Sequence, residues 1–197
     1  ISALGIEKAQ DSNYAISKLN GEKNILNNFS KSTILRPSLV YSVDDNFTTN
    51  MMSLLSILPF FPLYYEGKTK FTPIHVSEMA DIILKIVDRN ICSEVIECVG
   101  PDVITFREII EKLLILIDKK KILIPLPTII AKINAYLLEK LPKPLITMDQ
   151  LKLLKYDSIL TRENKSNLDL GIKSELKFED EVKKYAYMWK KGGEYSK

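Results

Sequence analysis

No glycine-rich phosphate turn occurs anywhere in the 197 residues. Neither Gly-x-x-Gly-x-x-Gly nor Gly-x-Gly-x-x-Gly follows a predicted strand, so these residues hold no loop that would seat a pyrophosphate on a helix N-terminus. Gly171 and the pair Gly192-Gly193 lie after or between helical pieces, outside any such context. Cysteine is scarce as well. Cys92 and Cys98 match no metal or disulfide framework and are expected to be core thiols in a reduced compartment. Long hydrophobic runs are missing too: the most apolar stretch, Leu54–Tyr65, has 12 residues and is broken by Pro59 and Pro62. A membrane-spanning helix needs about 20. That stretch reads first as a buried substrate-side loop and second as a patch that docks on a partner or bilayer. Charge of one sign is also lacking. With 28 basic and 25 acidic residues interspersed, the net +3 does not argue for nucleic acid.

What is present suits a folded chain, 46% apolar and 27% charged, long enough for one domain or a domain and a half. Its organising stretch is Tyr14-Ala-Ile-Ser-Lys18. Residues four apart on a helix share a face, and an ammonium beside a phenol favours the phenolate, lowering a reference value of about 10. Tyr14 is therefore a candidate proton donor or acceptor beside a carbonyl or alcohol.

The surrounding elements follow from pattern. Ile1–Gly5 reads as the end of a buried strand passing into a loop, and a helix is expected over Ser12–Phe29, capped by Asp11 or Ser12 and packed closely at Gly21. Ser32–Tyr41 is a strand interrupted at Pro37. Residues 42–73 read as irregular, with a short helix near 47–58, before an extended Phe71–Val76. Ser77 is the expected cap of a helix carrying Met79, Ile82, Ile83, Ile86 and Val87 as one stripe. A strand over Glu94–Val99 is followed by a capping box, Thr105-Phe-Arg-Glu108, that opens the next helix. Ile122–Pro127 reads as an edge-type extended piece, and helices are expected near 128–141 and 147–156, joined by a rigid Leu141-Pro-Lys-Pro144 turn. A last helix aligns Phe178, Val182, Tyr185, Ala186 and Trp189, and the tail from Lys190 is expected to fray.

Four pieces, in this order and spacing, resemble the C-terminal part of an extended short-chain dehydrogenase/reductase. They are Ile1-Ser-Ala3, Tyr14-Ala-Ile-Ser-Lys18 with Gly21-Glu22, Leu35-Arg-Pro-Ser-Leu-Val-Tyr41, and Thr72-Pro-Ile-His-Val-Ser-Glu-Met-Ala80. Downstream, Gly100–Glu108, Ile124–Pro127, Leu141–Leu154 and the Trp189 to Tyr195 ending are similar to the dehydrogenase-like accessory subunits of respiratory complex I and their bacterial relatives.

The resemblance implies an α/β fold: the C-terminal part of a Rossmann-like parallel sheet over 1–100, with a substrate-side insertion at 42–73, and a smaller, mostly helical subdomain over 101–197. The glycine-rich half would precede Ile1. In the family, the Tyr matching Tyr14 is the acid/base, and the Lys matching Lys18 binds the nicotinamide ribose and tunes that Tyr. Ser2 or its neighbour Ala3 takes the place of the hydroxyl that holds the substrate oxygen. Pro37, Ser38 and Leu39 match a strand-end loop against the nicotinamide. His75 falls on the substrate side, although its pattern alone reads as a satisfied structural residue. Arg36 reads as a structural ion-pair partner.

The implied cofactor is NAD(P)(H), with NADPH slightly preferred, and no metal is implied. The implied role is a complex I accessory protein, peripheral on an inner membrane at its cytoplasmic or matrix face, whose partners are complex I subunits. The alternative is a soluble NAD(P)-dependent reductase, epimerase or dehydratase.

Overall fold

In the computed structural model, which describes residues 1–140 and 146–195, short apolar strands meet partners far away in sequence. The expected Leu141–Pro144 turn lies outside the described residues. An extended segment, Ile1–Leu4, leads through a turn into α1 (Asn13–Asn28). Ser12 caps this helix by accepting from the Ala15 amide at 3.3 Å. Then come β1 (Ile34–Pro37), β2 (Val40–Tyr41), α2 (Thr48–Ile57), β3 (Phe60–Tyr64), β4 (Lys70–Phe71) and β5 (Ile74–His75). α3 (Val76–Asp88) is capped by His75, whose Nδ1 accepts from the Ser77 amide. The cap is thus two residues earlier than the hydroxyl pattern suggests, because the imidazole reaches the amide that a Ser77 cap would have left outside the helix.

β6 (Val95–Cys98), β7 (Ile104–Thr105), α4 (Phe106–Leu116), β8 (Ile122–Leu126), α5 (Thr128–Leu138), α6 (Met148–Leu153), β9 (Lys165–Ser166) and α7 (Phe178–Ala186) complete the order. The expected capping box of Thr105 with Glu108 forms at α4, and Thr147 with Gln150 forms another at α6. α7 carries Glu179, Asp180 and Glu181 in its first turn and Lys183 and Lys184 in its last, matching the helix dipole at both ends.

The fold is α/β. β1, β6 and β9 form a parallel sheet in that order, with Leu35 opposite Ile96 and Arg36 opposite Glu97. Ile1–Leu4 extends this sheet, since the Ser2 amide donates to the Leu35 carbonyl at 2.7 Å and Leu4 to Pro37 at 2.8 Å. The apolar stripe of α3 covers one face through Met79, Ile82 and Ile86.

A second parallel pair, β3 with β8, runs through what the sequence suggests is a loop at 54–65. The prolines do not prevent pairing. Pro62 faces Ile124 and Pro125 faces Leu63 in a two-stranded ribbon, where each strand has a free edge for the missing donor. β4 pairs antiparallel with β7, and the largest core cluster joins Tyr41, Leu55 and Leu63 to Ile109, Leu113 and Trp189. Residues 1–100 and 101–197 therefore share one core.

The need for glycine is sharpest at one junction. A Cβ on Gly100 would lie 1.7 Å from the Pro73 carbonyl oxygen, because the chain after β6 passes directly against the turn before β5. Gly21, by contrast, has nothing within 4 Å of where its Cβ would be and is not the close-packing point expected of it. Nor does the tail fray before Tyr195. That ring packs on Trp189 with centroids 4.9 Å apart, and its amide donates to the Met188 carbonyl.

Candidate functional site

α1 is held on its inner side by apolar packing of Ala15 with Ile6, Ala9, Leu153 and Tyr156. Its outer side presents Tyr14, 44% exposed, and Lys18 one turn later. The Lys18 ammonium lies 5.8 Å from the centre of the Tyr14 ring and donates to the Ile1 carbonyl at 3.2 Å. The helix spacing therefore does bring the two side chains together. The expected lowering of the phenol is not found. Burial raises Tyr14 above the ordinary tyrosine value, because the ammonium is drawn over the ring toward Ile1 instead of bonding the phenolic oxygen. We expect the absorbance change near 295 nm that Tyr14→Phe removes to titrate above pH 10 in the protein without nucleotide. A component titrating near neutrality would contradict this geometry.

Ser2 is buried; its hydroxyl is near enough to help hold the Glu22 carboxyl down, without a hydrogen bond of regular geometry among the described residues. Beneath it sits the ion pair expected of Arg36. Nε and one terminal nitrogen donate to Glu22 at 2.9 and 2.6 Å, and the other terminal nitrogen donates to Glu7 at 2.6 Å. Arg36 and Glu22 are both buried, while Glu7 is partly exposed.

The strand-end residues fare differently. Pro37 is buried, and its carbonyl accepts from Leu4. The Ser38 hydroxyl is engaged internally: it donates to the Ser158 carbonyl at 2.6 Å and accepts from the Thr72 amide at 3.1 Å. Leu39 packs on the large core cluster. The side chains at 37–39 are thus committed to the fold, and the Ser38 amide and Leu39 carbonyl are hydrogen-bonded to Cys98 and Ile74 as well. His75 caps α3 and sets its ring edge-on to Tyr41, with centroids 5.3 Å apart. The buried Cys98 thiol is pushed up to about 12 by burial and by Glu97, so it is inert, whereas Cys92 is exposed. Among the described residues no His, Cys, Asp and Glu cluster fits a metal, and no helix is long and apolar enough to cross a membrane.

Three residues matter that sequence reading missed. Asp149, inside the α6 capping box, accepts from the Ser12 hydroxyl at 3.0 Å and from the amides of Asn13 at 2.8 Å and Tyr14 at 3.0 Å. Glu97, fully buried in β6, accepts from the Thr161 amide at 2.8 Å and from Asn164 at 3.3 Å, pinning the crossing segment over the sheet. An acid inside Val95-Ile-Glu-Cys98 was a visible signal for it. Ser158, whose hydroxyl and carbonyl join Ser38, had none.

The residues fit the nicotinamide side of a dinucleotide. Tyr14 is accessible, Lys18 uses one hydrogen bond of an ammonium's three donors, and Ser2 carries a buried hydroxyl beside the sheet. Comparison with known proteins identifies a family. The pattern of the RmlD substrate binding domain matches residues 7–111, more than half of the chain. The mitochondrial NADH dehydrogenase [ubiquinone] 1 alpha subcomplex subunit 9 of Arabidopsis thaliana is 28% identical over 172 residues, covering 82% of this chain and 43% of that protein. The mitochondrial NADH-ubiquinone oxidoreductase 40 kDa subunit of Neurospora crassa is 26% identical over 174 residues, covering 87% and 45%. The chain thus spans less than half the length of either relative. Among solved structures, dTDP-glucose 4,6-dehydratase from Bacillus anthracis in complex with NAD superposes with a TM-score of 0.61 at 14% identity, over 93% of this chain and 54% of that one. UDP-glucose 4-epimerase from Thermotoga maritima gives 0.59 at 15%, over 88% and 52%. At such identities the likeness concerns the fold, which is that of the Rossmann-type dehydrogenase/reductases.

Proposed function

Because this chain belongs to the RmlD substrate binding domain family of the extended short-chain dehydrogenases/reductases, we propose that it serves as an NAD(P)-binding accessory protein of respiratory complex I, peripheral to the membrane, with the nucleotide held mainly as a structural cofactor. The carrying observation is the likeness to two mitochondrial complex I subunits over 82% and 87% of the chain, which runs well past the family's shared region at 7–111. The site supports a holding role. Tyr14 has its phenol raised by burial, not lowered, and Ser38 is committed to internal hydrogen bonds. In this reading Tyr14 and Lys18 lie against the nicotinamide ribose, Ser2 offers its hydroxyl at the sheet edge, and the backbone at Pro37 to Leu39 borders the ring. NADPH is slightly preferred over NADH. The phosphate-binding turn would come from outside these 197 residues.

The test is gentle solubilisation of native membranes, a native gel, and mass spectrometry of the complex I band with extraction of bound nucleotide. Migration with complex I and release of NAD(P)(H) are expected. A protein that carries no dinucleotide and never travels with the complex would end the proposal.

A second reading is favoured by one observation, the pairing of Tyr14 and Lys18 on a single helix face. It makes the protein a soluble NAD(P)-dependent reductase, epimerase or dehydratase. The nicotinamide, when bound, supplies or accepts a hydride. Tyr14 would move the proton at its phenolic oxygen, Lys18 would stabilise the phenolate, and Ser2 would orient the substrate oxygen. On a substrate found by screening, Tyr14→Phe should then lose most turnover, and a fully active variant would exclude this reading.

A further inference from the structure

α5 is built inside out for a helix of a globular protein. Its small residues Ala131 and Ala135 face inward, against Tyr64, Ile146 and Leu151. Its large ones, Ile129, Ile130, Ile133 and Tyr136, are 51–75% exposed. On the neighbouring ribbon Phe60 and Ile122, register partners in β3 and β8, are also more than half exposed. Single exposed apolar residues are ordinary on a protein surface, but four large ones on the outer side of one helix are not.

Charge says what covers it. From Ile115 to Lys140 the sequence has five lysines, at 119, 120, 121, 132 and 140, against Asp118 and Glu139, which leaves +3; the whole chain also carries +3. The net positive charge is therefore concentrated on the segment that exposes the isoleucines. On a helical projection Lys132 borders the stripe of Ile129, Ile133 and Tyr136 on one side, and Lys140 follows the last turn of α5 at the C-terminal end of that stripe. The Lys140 ammonium lies over the Tyr136 ring, 4.3 Å from its centre. Large exposed apolar side chains along α5 with ammonium groups beside them are the arrangement of a helix lying in a lipid headgroup layer.

Resting on the peripheral placement proposed above, we infer that the outer face of α5 docks on the anionic surface of a lipid bilayer. The isoleucines enter the acyl boundary, and the lysines at 119–121, 132 and 140 meet lipid phosphates. No segment spans the membrane in this arrangement, and binding is reversible and weakened by salt.

The purified protein is sedimented with vesicles of phosphatidylcholine alone or of phosphatidylcholine and phosphatidylglycerol in equal parts. Binding to the anionic vesicles only is expected, with loss at high salt. Two surface variants, Ile129→Ser/Ile133→Ser and Lys132→Glu/Lys140→Glu, should each weaken it by about tenfold or more while keeping the parent's circular dichroism melt. Equal binding by parent and variants would overturn the assignment, as would binding independent of lipid charge or no binding at all. If the variants bind no vesicle differently but leave the complex I band, the face is a protein contact and the lipid assignment falls. Vesicle binding through this face by a protein that never migrates with complex I would sink the accessory role and leave the surface assignment standing. Co-migration without vesicle binding would do the reverse.

Discussion

Arg36→Ala should destabilise the protein by about 3–5 kcal/mol, the cost of leaving a buried carboxylate without its partner. Arg36 is buried and faces Glu22 through two hydrogen bonds and Glu7 through a third. For Glu22, burial alone pushes the carboxyl up; the hydrogen bonds and charge of Arg36 outweigh it and hold the group below the usual carboxylate range. The sign of the pH dependence follows. In the parent, Glu22 has a lowered folded value, so its contribution is present above the unfolded value of about 4.3 and disappears as pH falls. In Arg36→Ala burial, the largest influence, faces only the weaker pull of Ser2 and the N-terminal ammonium, the folded value rises above the unfolded one, and the variant should lose stability as pH rises. Urea melts near pH 5 and pH 8 would read this as a contribution that stays level in the parent, both points lying above the unfolded value, and falls with pH in the variant. Adding Glu22→Gln to Arg36→Ala should recover part of the loss, because the orphaned charge is then gone. A parent-like pH slope in the single variant would show that Glu22 does not depend on Arg36.

This ion pair also shows what a sequence can tell. Arg36 in an apolar strand had to have a partner, so its structural role was readable before its partners were known. Helix starts were readable for the same reason. The boxes at Thr105 and Thr147 and the cap at Ser12 are local hydrogen bonds between residues three apart, and local chemistry is written in spacing. The parallel arrangement was suggested by continuous apolar strands between helices and is found in β1, β6 and β9.

What escaped is what depends on remote chain. Phe60–Tyr64 carries a proline and no alternation, and it becomes a strand only because Ile122–Leu126 lies beside it. The direction of the Tyr14 shift escaped because Tyr-x-x-x-Lys fixes which face the side chains share, not whether the ammonium prefers the phenol or the Ile1 carbonyl. Ser38 matched the strand-end motif, yet its hydroxyl is claimed by Ser158, a residue 120 positions away. The residues of the Tyr14 face were thus legible as types and spacing, and their hydrogen bonding was not.

Asp149→Ala should cost about 2–3 kcal/mol and loosen the helix that carries Tyr14. One carboxylate here serves two helix starts. It lies in the first turn of α6 and also accepts from the Asn13 and Tyr14 amides and the Ser12 hydroxyl at the start of α1. Both helix N-termini carry partial positive charge, so a single anion between them offsets what would otherwise be a repulsive meeting of dipoles. The expected loss is that of a charged hydrogen-bonding cap, at the upper end because three donors depend on it. Burial pushes Asp149 up, but the Tyr14 and Asn13 amides and the Ser12 hydroxyl hold it below the usual carboxylate range. Its stabilisation is therefore fully present above the unfolded aspartate value of about 3.9 and is lost as pH falls through the folded value. Removing it should flatten the acid limb of the stability curve while leaving the alkaline limb unchanged. Asp149→Asn keeps an acceptor without the charge and should lose roughly half as much. Hydrogen exchange gives the local readout. Amides 13 and 14 should lose protection in Asp149→Ala and keep it in Tyr14→Phe, which touches none of these bonds. If nucleotide lies against Tyr14, its affinity should fall in the Asp149 variants even where the fold is intact, because the anchor of α1 rests on the α6 segment that follows the large core. Unchanged protection at residues 13 and 14 would mean that the packing of Ala15 on Leu153 and Tyr156 is sufficient to hold α1, and the positioning role of Asp149 would be lost.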